Sequence, residues 1–132
     1  MNDARDVERA TQTPLTPAVF QILLALAGGE RHGYAIMREV AEQSGGRMRL
    51  GPGTLYGSLR RLVEEGLIEE TETRPDPELD DERRRYYRLT SEGRRVAQAE
   101  AERLDGLTQA ARARGLLPGQ PGSEPAGVGG AR

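Results

Sequence analysis

The sequence predicts a mainly α-helical fold with one small β-hairpin, followed by a long C-terminal helix. Three observations predict it. Three segments with apolar residues at helical spacing each run into glycine. Two short alternating segments flank a stretch crowded with proline and acidic residues. After them comes an alanine-rich segment of more than twenty residues without a proline.

Thr16-Pro17 opens the first helix, with a hydroxyl to cap free amides and a proline whose fixed φ suits the first turn. In AVFQILLALAGG, the apolar residues Val19, Phe20, Leu23, Leu24 and Leu26 lie on more than one side. This predicts the most buried helix, ended by Gly28-Gly29. RHGYAIMREVAEQSGG is the second helix, with Ile36, Met37 and Val40 on an apolar stripe and Gly45-Gly46 as its stop. RMRL is expected to form a short linking strand. The third helix spans about Pro52 to Glu65 and stops at Gly66. Its Leu55, Leu59, Leu62 and Val63 follow the i, i+4, i+7, i+8 spacing of one helix face.

Leu67 and Ile68 lead into an alternating Glu/Thr strand, and RPDPELDDE has the composition of a turn. RRRYYRL reads as the returning strand, with Arg85, Tyr87 and Leu89 on one face and Tyr86 and Arg88 on the other. Thr90 caps a fourth helix that runs to about Ala113, with Glu92 favourable in its first turn. Only Val96, Leu104 and Leu107 are large and apolar there, a stripe too thin for its own domain to hold. Such a helix is expected to lie against another chain. The expected organisation is a flexible segment over 1–14, a folded body over 15–89, the long helix over 90–114 and a disordered Gly/Pro-rich tail over 115–132.

Composition narrows the function. Of 132 residues none is cysteine and one, His32, is histidine, so a zinc or other metal site is not expected. A Ser-His-acid triad from Ser44, Ser58 or Ser91 has nothing beside it to activate a nucleophile, so no enzyme activity and no cofactor are expected. His32 is better read as setting the turn before the second helix. No apolar run approaches the roughly 18 residues that span a bilayer, and the polar start is not a signal peptide. The expected setting is cytoplasmic, away from membranes.

The net charge is −2, but it is unevenly spread. From Gln43 to Val63 there are four arginines (Arg47, Arg49, Arg60, Arg61) and no acid; from Glu69 to Glu82 there are eight acids and one arginine. Every basic side chain is arginine, which a GC-rich genome explains without any function.

The element order is that of a winged helix-turn-helix, whose third helix enters the DNA major groove beside a flanking hairpin. On a wheel at about 100° per residue, the leucines of the third helix centre on one direction. Gly53, Gly57, Arg60 and Arg61 lie opposite, with Thr54 beside them. The glycines weaken the helix but let its backbone approach another surface closely. Arg60 and Arg61 suit guanine or phosphate, and Thr54 and Tyr56 suit phosphate or a thymine methyl. Tyr34 is expected at the DNA backbone, and Arg83, Arg84, Arg85 and Arg88 at phosphate or the minor groove, with the acidic tip Asp76–Glu82 turned away. Plainer readings stand beside these. Paired arginines on a helix are often solvated charge, Tyr56 lies on the flank of the core face, and the hairpin arginines have acids nearby to pair with.

HGYAIMREV, LGPGTLYGSLRRLVEEGLIEE and RRRYYRLTSEG, in that order from Pro17 to Leu107, together resemble the PadR-like family of bacterial transcriptional regulators. The resemblance implies a homodimeric winged-helix repressor on double-stranded DNA, dimerised through its C-terminal helix, here by Val96, Leu104 and Leu107. It also implies release from DNA by a small hydrophobic or aromatic effector, expected between the fourth helix and the partner's first helix near Val96 and Leu104. The single C-terminal helix looks like the family's small subgroup. Its long acidic wing and its dimer helix without aromatics depart from the usual pattern. The competing class is a winged-helix module for protein–protein contact through the acidic loop, against which the acid-free third helix argues.

Overall fold

A computed structural model describes residues 15–71 and 85–119, and among them are four helices and three short strands. They are α1 (Pro17–Ala27), β1 (Arg31–His32), α2 (Gly33–Gln43), α3 (Pro52–Glu64), β2 (Ile68–Glu70), β3 (Tyr86–Leu89) and α4 (Ser91–Ala113). The RPDPELDDE turn and most of its flanks lie outside the described residues, as do both termini.

The helix ends follow from single residues. The Thr16 hydroxyl accepts a hydrogen bond from the Val19 amide at 3.2 Å, and Pro17 takes the first helical position. His32 caps α2: its Nδ1 accepts from the Ala35 amide at 3.1 Å, so the lone histidine does set this turn. At the other ends, Gly45 (φ 65°), Gly66 (φ 80°) and Gly115 (φ 83°) take the left-handed conformation. The next amide in each case bonds back to an earlier carbonyl: Gly46 to Ala41, Leu67 to Leu62 and Leu116 to Ala111. These are Schellman stops, and they need a residue without a Cβ.

Two expectations change. The linking segment after α2 is not a strand; the short strand is Arg31–His32, ahead of α2. The sheet runs β1-β3-β2, antiparallel, with Arg31 opposite Tyr87 and Ile68 opposite Leu89. β3 is thus the central strand, with β1 on one side and β2 on the other, and the linking segment pairs with none of the three. Val63 is 38% exposed rather than buried. It lies about 80° round the helix from Leu55, outside the arc that Leu55, Leu59 and Leu62 turn inward.

The core is aliphatic and shared by all the larger elements. Ile22, Leu23, Ala25 and Leu26 of α1 meet Ile36 and Val40 of α2, the three leucines of α3, Leu67 and Ile68, Tyr87 and Val96. Burying one such leucine is worth about 1.5–3 kcal/mol. α1 is apolar on more than one side as expected, yet Leu24 remains 44% exposed. Polar side chains fasten the helices as well. Gln43 donates to the Gln21 carbonyl at 2.8 Å, and Arg31 Nε donates to the Ala25 carbonyl at 2.9 Å.

α4 begins where chain meets chain most closely. Thr90 Oγ1 accepts from the Gly93 amide at 3.0 Å and donates to the Gly66 carbonyl at 2.6 Å. Gly93 lies against the Leu67 carbonyl, with no space for a Cβ. The chain forms two compact units divided after Gln98, the first therefore taking in the opening turns of α4. In the second unit Arg103 is bonded to Glu100 at 2.6 Å, Gln109 to Asp105 at 2.8 Å, and Arg112 to the Pro118 carbonyl at 2.9 Å. The Glu100 bond raises the Arg103 pKa.

Candidate nucleic-acid interface

α3 has two faces of opposite character. Leu55, Leu59 and Leu62 are buried to 0–2% exposure and hold the helix to the core. Gly53, Thr54, Arg60 and Arg61 are exposed on the other side, with Gly57 half-buried among them. Neither Gly53 nor Gly57 has a positive φ. A Cβ at Gly53 would meet nothing within 4 Å, and one at Gly57 only the Arg60 guanidinium at 4.0 Å. The fold therefore requires neither glycine. Arg60 and Arg61 form no ion pair with any described residue. The helix starts at Gly51, whose backbone is extended and which offers no side-chain cap, and Pro52 supplies the first turn.

The start of α2 lies next to this helix. Tyr34 is 43% exposed, with its ring stacked on His32 at 6.5 Å between centroids and the Arg38 guanidinium 5.6 Å from its centre. Tyr56 is half-buried and lies across Gly33, where a Cβ would come within 2.7 Å of its Cζ. This places the Tyr56 ring in the contact between α2 and α3 rather than on the bare face. The sequence signal for it was its flank position on the wheel.

In the hairpin, Arg85 pairs with Glu70 at 3.3 Å, and Arg88 pairs with Glu69 at 2.7 Å across the β2–β3 ladder. The hydrogen bond and charge of Glu69 raise the Arg88 pKa. Both pairs are exposed and readily exchanged for solvent. Arg83, Arg84 and the acidic tip lie outside the described residues.

Of the three residues expected at a dimer contact, Val96 is 1% exposed within its own chain's core. Its side chain packs into the core of its own chain rather than on an exposed face of α4. Leu104 is half-buried and Leu107 is 56% exposed. Ser44, one of the serines considered for a triad, accepts from the Met48 amide at 2.9 Å and donates to the Ala41 carbonyl. No helix among the described residues is long and apolar enough to cross a membrane.

Three helices, a hairpin pairing back onto a short strand, and a third helix with one bare, cationic face define a winged helix-turn-helix fold. Residues 22–99 match the sequence profile of the Transcriptional regulator PadR-like family. The chain belongs to that family, a family of transcription regulators. It is 39% identical over 87 residues to an uncharacterized 37.1 kDa protein in transposon TN4556 of Streptomyces fradiae, covering 66% of this chain and 23% of that protein. The chain thus spans about a quarter of that relative's length. Among solved structures, RosR of H. salinarum is 34% identical with a TM-score of 0.54, covering 74% of this chain and 78% of that one. A PadR family transcription regulator from Clostridium difficile superposes with a TM-score of 0.59 at 24% identity, covering 73% and 95%, a likeness of fold.

Proposed function

We propose that this DNA-binding regulator is a homodimeric repressor that inserts α3 into the major groove of a pseudo-palindromic operator. The observation that carries the reading is the bare face of α3. Gly57 lies in the helix interior, where glycine costs about 0.8–1 kcal/mol against alanine, and it is demanded by neither φ nor crowding. A backbone kept bare beside two arginines that form no ion pair among the described residues suits close approach to base edges. In this reading residues 15–89 bind DNA, with Thr54, Arg60 and Arg61 facing the groove from the Gly53–Gly57 surface and Tyr34 touching the backbone. Tyr56 acts by fixing α3 against α2. Arg83, Arg84 and Arg85 are assigned to phosphate or the minor groove by their charge in the sequence.

The helix over 90–114 pairs two copies through Leu104 and Leu107, setting half-sites about one helical turn apart. A small hydrophobic or aromatic effector releases the DNA. Regulation takes place in the cytoplasm, and the chain needs no cofactor.

A gel shift with duplexes selected by the protein from a randomised pool tests this. Arg60→Ala is expected to weaken binding by about 1–3 kcal/mol and relax sequence preference at the position it reads. If Arg60→Ala and Arg61→Ala together leave affinity unchanged, α3 is not the reading helix.

A further inference from the structure

Between α2 and α3 the chain runs from Gly46 to Gly51 as irregular backbone with a strict alternation of exposure. Met48 and Leu50 are half-buried and pack on the core, while Arg47 and Arg49 are exposed. The connection is pinned as well as oriented. Ser44 Oγ accepts from the Met48 amide at 2.9 Å, and the Arg47 amide donates to the Ser44 carbonyl at 3.2 Å. The Arg49 guanidinium passes over Gly46, 3.3 Å from where a Cβ would stand. Neither arginine forms an ion pair with a described residue, although Arg85 and Arg88 of the hairpin do. Positive charge not offset by a neighbouring acid is thus placed ahead of the reading helix.

We infer that Arg47 and Arg49 are a phosphate clamp that grips the DNA backbone at the edge of the groove α3 enters. This rests on the reading of α3 given above. An extended chain covers at most about 3.3–3.6 Å per residue. Arg49 and Arg47 therefore lie up to about 10 and 17 Å along the chain from Pro52. Those upper bounds are comparable with the roughly 12 Å width of the major groove, so the phosphate wall beside the start of α3 is the backbone within range of these two side chains. Arginine there contributes affinity and register without sequence information.

Full-length wild type, Arg47→Gln/Arg49→Gln and Arg47→Lys/Arg49→Lys are compared on one duplex selected by the wild type and on a scrambled duplex of the same composition. Affinity is followed between about 50 and 200 mM salt. The glutamine variant is expected to weaken both duplexes by the same factor and to reduce the slope of log K against log salt by about two, at roughly 0.9 per phosphate. The lysine variant is expected to keep the slope, since phosphate accepts a point charge. An unchanged slope, a loss confined to the selected duplex, or early thermal melting of the glutamine variant overturns the clamp while leaving α3 as the reading helix. A wild type that enriches no duplex from the pool overturns both.

Discussion

Gly33 and Gly93 are small because a neighbour occupies the place of their side chains. At Gly33 the neighbour is the Tyr56 ring, which joins α2 to α3; at Gly93 it is the Leu67 carbonyl, whose carbon would be 2.8 Å from an added Cβ. A ring on a side chain can rotate away, but a carbonyl in the turn between α3 and β2 cannot move without the chain on both sides of it. Gly93→Ala is therefore expected to destabilise the protein by about 1–3 kcal/mol, measured by urea unfolding, with the loss spread over the whole first unit. Thr90 reinforces the same joint by bonding Gly66 and Gly93 together. A reading by residue type sees Thr90 as a helix cap, which it is. That the same hydroxyl also donates to a carbonyl 24 positions earlier depends on a contact that no local pattern contains.

At the scale of the element, α3 is where stability and function part. Its leucine face was legible because i, i+4, i+7 spacing maps directly onto one side of a helix. Its glycines were legible as lying opposite, but their surroundings were not: only the structure shows open space where their side chains would be. Gly57→Ala is accordingly expected to raise stability by about 0.8–1 kcal/mol in a thermal melt while weakening duplex binding in the gel shift. A variant both more stable and equally tight on DNA would remove the case for the bare face. β1 shows the opposite limit. Two residues have no period to read, and Arg31–His32 is a strand because it pairs with Tyr87 and Tyr86 of β3, more than fifty positions away. The hairpin arginines were legible as charge, but their pairing with Glu69 and Glu70 follows from the strand register.

For the whole molecule, a net charge of −2 coexists with a DNA-binding fold because the charge is segregated along the chain. Phosphate meets the local field, which decays over about 10 Å at 0.1 M salt, more than it meets the sum. The proposed dimerisation belongs to this scale too. With Val96 committed to the core, Leu107 is the most exposed of the three apolar residues on α4. Leu107→Glu is expected to shift the protein to monomer in sedimentation equilibrium, since it places charge in an apolar contact. The same variant is expected to bind an operator half-site while losing the two-fold gain of the full site. A dimer that persists would move the contact elsewhere.

What the sequence determined by itself was everything carried by short-range periodicity and special residues: the four helices, their caps and glycine stops, the hairpin and the acid-free segment. These follow from contacts within a few positions of each residue, so spacing and residue type suffice. Only the tertiary structure decided which residue types were serving the fold and which were left free. It placed Val96 inside, laid Tyr56 across Gly33, moved the short strand ahead of α2, and paired Arg85 and Arg88 while leaving Arg47, Arg49, Arg60 and Arg61 without ion pairs among the described residues. Each of those outcomes depends on what lies across space from a residue, and that is set by packing distant segments together rather than by the residues on either side.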